Sequence, residues 1–166
     1  LGSVHVPVDP IHRSAGFYER ELGPNLRVVF VEHPPFFDRP GIYGDSAGDF
    51  GDNEFRFAFF SRAVIEFCRS RGYRPDVFHA HDWQTGLLPV YLKAFYADDP
   101  TLHRVPTVFT IHNLAYQGHF SAKTLGPLGL PDSLATEDAL DWKGNICNMK
   151  GGLLFSEVVT TVSPTY

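Results

Sequence analysis

Sulfur is scarce in this chain, with two cysteines and one methionine among 166 residues. Cys68 and Cys147 form neither a thiolate metal set nor a disulfide framework. They read as buried, reduced thiols of a cytoplasmic protein. No apolar run approaches the roughly 20 residues that cross a bilayer. Clusters of lysine and arginine are also missing, and 14 basic against 19 acidic residues leave a net charge of −5. That balance gives no electrostatic footing for nucleic acid or for an anionic membrane. The nearest thing to a basic run, Arg69, Arg71 and Arg74, fits the solvated carboxyl end of a helix, where cations complement the dipole. Neither a Gly-x-Ser-x-Gly elbow nor a Cys/His nucleophile pair is present, so acyl transfer lacks its machinery.

What is there suits a globular α/β domain: 43% hydrophobic residues over a length sufficient to bury a core. Residues 1–24 read as loop, with a short helical candidate at Ala15–Glu21. Leu26–Val31 is a β-branched run and reads as a buried strand, ended by Pro34-Pro35. Residues 36–52 have the composition of a functional or mobile loop, carrying Phe36, Phe37 and Tyr43 among Gly and Asp. Helices are predicted over 53–71, 85–97, 136–142 and 145–155, and strands over 77–79, 105–111 and 158–162. The first helix would bury Phe57, Phe60, Val64, Phe67 and Cys68 and stop at Gly72. Residues 115–130 read as loop. Alternating strands and helices imply a Rossmann-like parallel sheet with flanking helices and right-handed crossovers. After the last strand, Ser163-Pro164 reads as a helix N-cap and first helical proline, an expectation of a longer protein.

The informative stretch is His79-Ala80-His81-Asp82-Trp83. It follows the short run Asp76-Val77-Phe78 and precedes Gln84-Thr85-Gly86-Leu87, a strand, polar elbow and helix start. The layout recurs where Thr107–Ile111 runs into His112-Asn113. Side chains just past the carboxyl ends of parallel strands line the ligand crevice of such sheets, so the two elbows are expected to share one site.

Several chemistries compete for these residues. His79, His81, Asp82 and His112 could form a metal-dependent hydrolase centre, with His119 a further possible ligand. The order around Asp82 departs from a common zinc pattern, and His79 with His81 is expected to converge only if the chain turns between them. His79 would then be a histidine of the core, or one standing behind the site, satisfied by backbone. Asp82 could simply cap the helix that follows. His112-Asn113 offers donors and acceptors without a nucleophile, which suits sugar hydroxyls. Lys150-Gly151-Gly152-Leu153 looks like a phosphate turn but lies in a helix without the strand-then-glycine context, so close helix packing is the better account.

With these segments in view, the chain resembles the bacterial glycogen synthases and plant starch synthases of glycosyltransferase family 5. The resemblance rests on four stretches in the family's order. They are Tyr43-Gly44-Asp45 after Asp38-Arg39-Pro40-Gly41, then Pro75-Asp76-Val77 with His79–Gly86. Thr110–Gly118 and Thr161–Tyr166 complete the set. It implies part of the N-terminal, acceptor-side domain of a GT-B glycosyltransferase, whose second domain carries most nucleotide contacts. It also implies transfer of glucose from ADP-glucose to the nonreducing end of an α-1,4-glucan, with retention, without metal or other cofactor, in the cytoplasm or in a plastid.

By position in these motifs, His112 would contact the donor glucose and help hold the transition state, with Asn113 beside it. Asp82 would sit on the acceptor side. Tyr43 would be a loop tyrosine near the donor sugar, and Trp83 and Gln117 would support the site. The family's Lys-Thr-Gly-Gly-Leu turn and its second domain are not found in this sequence, so the chain alone is expected to be inactive. A glucan-binding module without chemistry is the remaining alternative.

Overall fold

Cross-strand pairing decides the first part of the chain in the computed structural model, which describes residues 2–8 and 13–164. β1 (Ser3–Val6), β2 (Arg13–Gly23) and β3 (Leu26–Glu32) form an antiparallel sheet in that order. The helix expected at Ala15–Glu21 is therefore strand. Ala15 and Phe17 are buried while Ser14 and Tyr18 are exposed, a period of two, and Phe17 and Tyr18 pair with Val31 and Phe30. These cross-strand contacts outweigh local helix propensity. β3 forms as expected but is not buried; it is the sheet edge, and its residues are exposed or half-buried.

Pro34 and Pro35 open a one-turn helix, α1 (Pro34–Phe37), because a proline is tolerated where helical N–H groups lack partners. Phe36 and Phe37 then pack on Phe59, with ring centroids 5.5 and 6.3 Å away. The loop that follows holds a small hairpin of β4 (Gly44–Asp45) and β5 (Gly48–Asp49). It is clipped at its base: Arg39 donates to both oxygens of Asp52, at 2.7 and 2.6 Å.

α2 (Asn53–Ser70) begins at Asp52, whose carboxylate, engaged by Arg39, makes no cap bond to the helix. It stops at Gly72, where φ is +59° and the Tyr73 N–H returns to the Cys68 carbonyl at 2.9 Å. Of the apolar stripe predicted for it, only Cys68 is buried. The fully buried residues include Ala58, Phe59, Ala63 and Ile65, with Arg56, Arg62 and Glu66. The aromatics of that stripe instead reach sideways, Phe67 to Phe17 and Phe57 to Trp83. The buried charges are matched: Arg62 lies 4.5 Å over the Phe95 ring, and the Tyr96 hydroxyl donates to Glu66.

The second half builds the parallel sheet. β6 (Phe78–His81) and β7 (Thr107–Ile111) are joined through α3 (Leu87–Phe95). A small antiparallel sheet follows, with β8 (His119–Ser121), β9 (Asp141–Trp142) and β10 (Asn145–Cys147). α4 (Asn148–Phe155) leads into β11 (Val158–Thr161), giving the parallel order β11-β7-β6. The helix expected over 85–97 is preceded by a 3-10 turn at Trp83–Thr85. The loop expected over 115–130 contains β8, and the helix expected over 145–155 begins three residues late, after β10. The helix expected over 136–142 is replaced by turns and then β9, and in the turns Leu140 N–H bonds to the Leu134 carbonyl at 3.1 Å. Those turns carry Leu140, fully buried, into the core. Leu1, residues 9–12, Thr165 and Tyr166 lie outside the described residues, and with them the helix expected after Ser163-Pro164.

α4 lies so close to the sheet that its sequence is constrained. A Cβ on Gly152 would overlap the Phe109 ring, and one on Gly151 would sit 2.9 Å from Val90 Cγ2. The two glycines thus serve helix packing, as expected. At the start of the same helix Asn148 is 1% exposed, and neither of its amide atoms has a partner among the described residues. The two positions should respond oppositely in urea unfolding. Gly152→Ala is expected to cost about 1–3 kcal/mol by overpacking. Asn148→Leu, with the same branching, should add about 1 kcal/mol by removing an unsatisfied buried amide. A stabilised Gly152→Ala or a destabilised Asn148→Leu would contradict this account of α4.

Candidate active site

The two polar elbows meet. β6 and β7 are adjacent and parallel, with His81 opposite Thr110, so Asp82 and His112 leave the sheet at the same rim. Asp82 Oδ1 accepts the backbone N–H of His112 at 2.7 Å and that of Asn113 at 3.2 Å. Asp82 does not cap the turn that follows it; its carboxylate caps the neighbouring strand's elbow instead. To reach across, Asp82 takes φ 54° and ψ −177°, a region costly for a residue with a side chain. Strain of this kind is held at sites where surrounding structure over-determines it.

Histidine geometry corrects two expectations. Residues two apart on a strand share a face, so His79 and His81 converge without any turn, with ring centroids 4.1 Å apart. His79 is exposed, not in the core, and it bonds through Nε2 to the Thr110 hydroxyl at 2.6 Å instead of to backbone. His81 Nδ1 lies 3.0 Å from His112 Nε2. Two imidazoles share one proton at that distance, so each ring keeps one nitrogen for other partners. Among the described residues no group of three or more His, Cys, Asp or Glu side chains is disposed to hold a metal ion. The metal-dependent hydrolase reading therefore finds no support in the geometry.

Beside the rim opens a cleft of ≈ 580 Å³, lined by Asp82, Trp83, Asn113, Gln117 and Tyr43 among others. Five of the six predicted site residues thus face one hollow. The sixth, His112, is exposed at the rim beside His81 and does not line it. Trp83 and Gln117 form cleft wall more than support. Gly118 lets the Gln117 segment pass under Trp83: its φ is +67°, and a Cβ there would stand 2.6 Å from the indole. Sequence reasoning missed Asp49, Asn53, Gln84 and Tyr116, which also line the cleft, as does His119, considered there only as a metal ligand. Gln84 and Tyr116 lie inside the recognised motifs and could have been found by their neighbours. Asp49 and Asn53 come from the loop and from α2, and only tertiary structure brings them in. Among the described residues that line the cleft there is no lysine or arginine.

Against this geometry, similarity to known proteins is decisive. A family model described as the starch synthase catalytic domain matches residues 2–166. The chain belongs to the starch synthase catalytic domain family. Among relatives, glycogen synthase 2 of Geobacter sulfurreducens is 47% identical over 151 residues, covering 91% of this chain and 31% of that protein. The glycogen synthase of Elusimicrobium minutum is 45% identical over 142 residues, covering 86% and 30%. The solved catalytic domain of starch synthase IV from Arabidopsis thaliana, bound to ADP and acarbose, superposes with a TM-score of 0.85 at 34% identity, covering 99% of this chain and 33% of that one. The synthase-family chain thus spans about a third of the length of these relatives. Its GT-B architecture and its kinship with glycosyltransferases follow.

Proton binding at this rim sets a pH dependence. His81 is held below its ordinary value of 6.5, chiefly by burial and then by the neighbouring His79 and His112, against the opposing charge of Asp82. His33 is likewise lowered from 6.5, first by burial among Phe36 and Phe59, with a bond to the Ser14 carbonyl opposing and Arg13 adding. Both groups bind protons less readily folded than unfolded. Their contribution to stability is therefore complete above about pH 6.5 and is lost as pH falls toward the folded values. Urea midpoints are expected to decline between about pH 7.5 and 5.5, and less steeply in a His33→Phe/His81→Asn variant. An unchanged slope in that variant would refute the assignment.

Proposed function

We propose that this chain forms the acceptor-side part of a retaining glucosyltransferase, which moves glucose from ADP-glucose to the nonreducing end of an α-1,4-glucan in the cytoplasm. The observation that carries the reading is the Asp82 carboxylate, which fixes both elbows against each other over a cleft walled by tyrosine, tryptophan and amides. Such a wall suits a sugar: aromatic faces cover its apolar side while carboxylate and amide groups take its hydroxyls. Two relatives named glycogen synthase and a starch synthase solved with ADP and acarbose support the same substrate class.

In this reading, Asp82 and Asn113 bind and orient glucan hydroxyls, Trp83 and Tyr43 cover a ring face, and Gln117 narrows the far wall. His112, hydrogen-bonded through Nε2 to His81 at the rim, offers its other ring nitrogen to the donor sugar. Negative charge builds on the nucleoside diphosphate as it departs, and such a step depends above all on fixed positive groups aimed at that charge. Among the described residues the cleft lining offers no lysine or arginine for that purpose, so the diphosphate is to be met by a second domain facing this one.

The protein is therefore expected to bind maltooligosaccharides, read as a change in Trp83 fluorescence, and to leave ADP-glucose unconsumed without that second domain. Asp82→Ala should weaken glucan binding by about tenfold, as loss of a charge-assisted anchor implies. Glucose release or transfer from ADP-glucose by this chain alone, or full binding by Asp82→Ala, would count against the proposal.

A further inference from the structure

Tyr43 is held at both ends by groups to which the proposed reaction gives no part. At its main chain, Asn53 Nδ2 donates to the Tyr43 carbonyl at 2.8 Å. Arg56 in turn donates to Asn53 Oδ1 at 2.6 Å and to the carbonyls of Ile42 and Phe36, each at 2.8 Å. Asn53 and Arg56 are 5% and 3% exposed, so the loop backbone on either side of Tyr43 is tied to the buried face of α2. Within the loop expected to be functional or mobile, the backbone around Tyr43 is pinned. At the other end, Gln84 Nε2 donates to the Tyr43 hydroxyl oxygen at 2.8 Å. Gln84 is itself anchored, since the buried Ser61 hydroxyl donates to its carbonyl at 3.4 Å.

A phenol oxygen that accepts one hydrogen bond keeps its own O–H as a donor, and that proton must point away from the amide that approaches it. Tyr43 and Gln84 both line the cleft. We infer that Gln84 is a positioning residue that turns the Tyr43 hydroxyl into a fixed donor aimed at a sugar oxygen in the cleft. The inference rests on the sugar-binding reading above and deepens it. Of two groups able to donate or accept, Tyr43 is committed to donation before ligand arrives, which spares the ligand the cost of ordering it.

Gln84→Glu tests this with almost no change in shape, because a carboxylate captures the phenol proton and reverses the bond. Maltoheptaose binding is expected to weaken about tenfold in Gln84→Glu and comparably in Tyr43→Phe, the scale of one lost hydrogen bond. A residue acting through Tyr43 gives a non-additive pair, so Tyr43→Phe/Gln84→Glu should bind no more weakly than Tyr43→Phe. Wild-type affinity in Gln84→Glu, or effects that add in the double variant, overturns the inference.

A second readout needs no sugar. The Gln84 side-chain amide protons should exchange slowly with solvent in the wild type and quickly in Tyr43→Phe, by NMR. Equal exchange in both overturns the inference as well. Absence of maltoheptaose binding in the wild type would defeat the sugar-binding reading instead, and amide exchange would still decide whether Gln84 holds Tyr43.

Discussion

One carboxylate oxygen holds the site together. Asp82 Oδ1 receives two backbone N–H groups from the elbow of the adjacent strand, and without it those donors would have no partner at the strand end. Bonds of this kind, with an ionised acceptor, are about twice as strong as neutral ones. The carboxylate gives both contacts to the neighbour, and the backbone of Asp82 bends into an unfavourable region to allow it. The rest of the site follows from that choice. With Asp82 turned outward, Trp83 swings over the glycine at 118, His81 comes within hydrogen-bond distance of His112, and Gln84 reaches Tyr43.

Behind the rim, the sheet is backed by a tight fit. Phe109, fully buried at the middle of β7, fills the space left by Gly152 on α4. Ala80, Cys147 and Met149 complete that small cluster, with Trp83 and Ile111 packed against it. The cleft wall and the sheet core therefore touch through Trp83, and displacement of α4 would be felt at the indole. On the other side, α2 joins the antiparallel sheet to the Tyr43 loop through its buried Arg56. The charge of Arg56 is taken up by carbonyls and by the faces of Phe50 and Phe57, 5.1 and 5.3 Å away, instead of by a carboxylate.

The sequence made the parallel sheet legible because its strands are short β-branched runs, Thr107–Ile111 and Val158–Thr161, flanked by unmistakable turns. The meeting of Asp82 with His112 was legible for the same reason: two elbows of one kind at two strand ends. What escaped was set by partners far away in the chain. Ala15–Glu21 has helical composition, and only its pairing with β3 makes it strand. Residues 136–142 lack a helix because Leu140 is drawn into the core. The stripe of phenylalanines on α2 hid the truly buried face, since aromatics large enough to reach around a helix need not lie under it. The error over His79 and His81 was one of face alternation, and the register of β6 with β7 removes it.

The clip between Arg39 and Asp52 separates the loop into a fixed stem and a free tip. Tyr43 belongs to the stem, while Ser46 and Ala47 at the tip are exposed. Extra residues inserted at the tip would enlarge a loop already closed at its base, and each doubling of such a loop costs only about 0.6 kcal/mol. Homologues can therefore vary in length at this point, and acquire new contacts above the cleft, while the tyrosine that lines the cleft stays where it is.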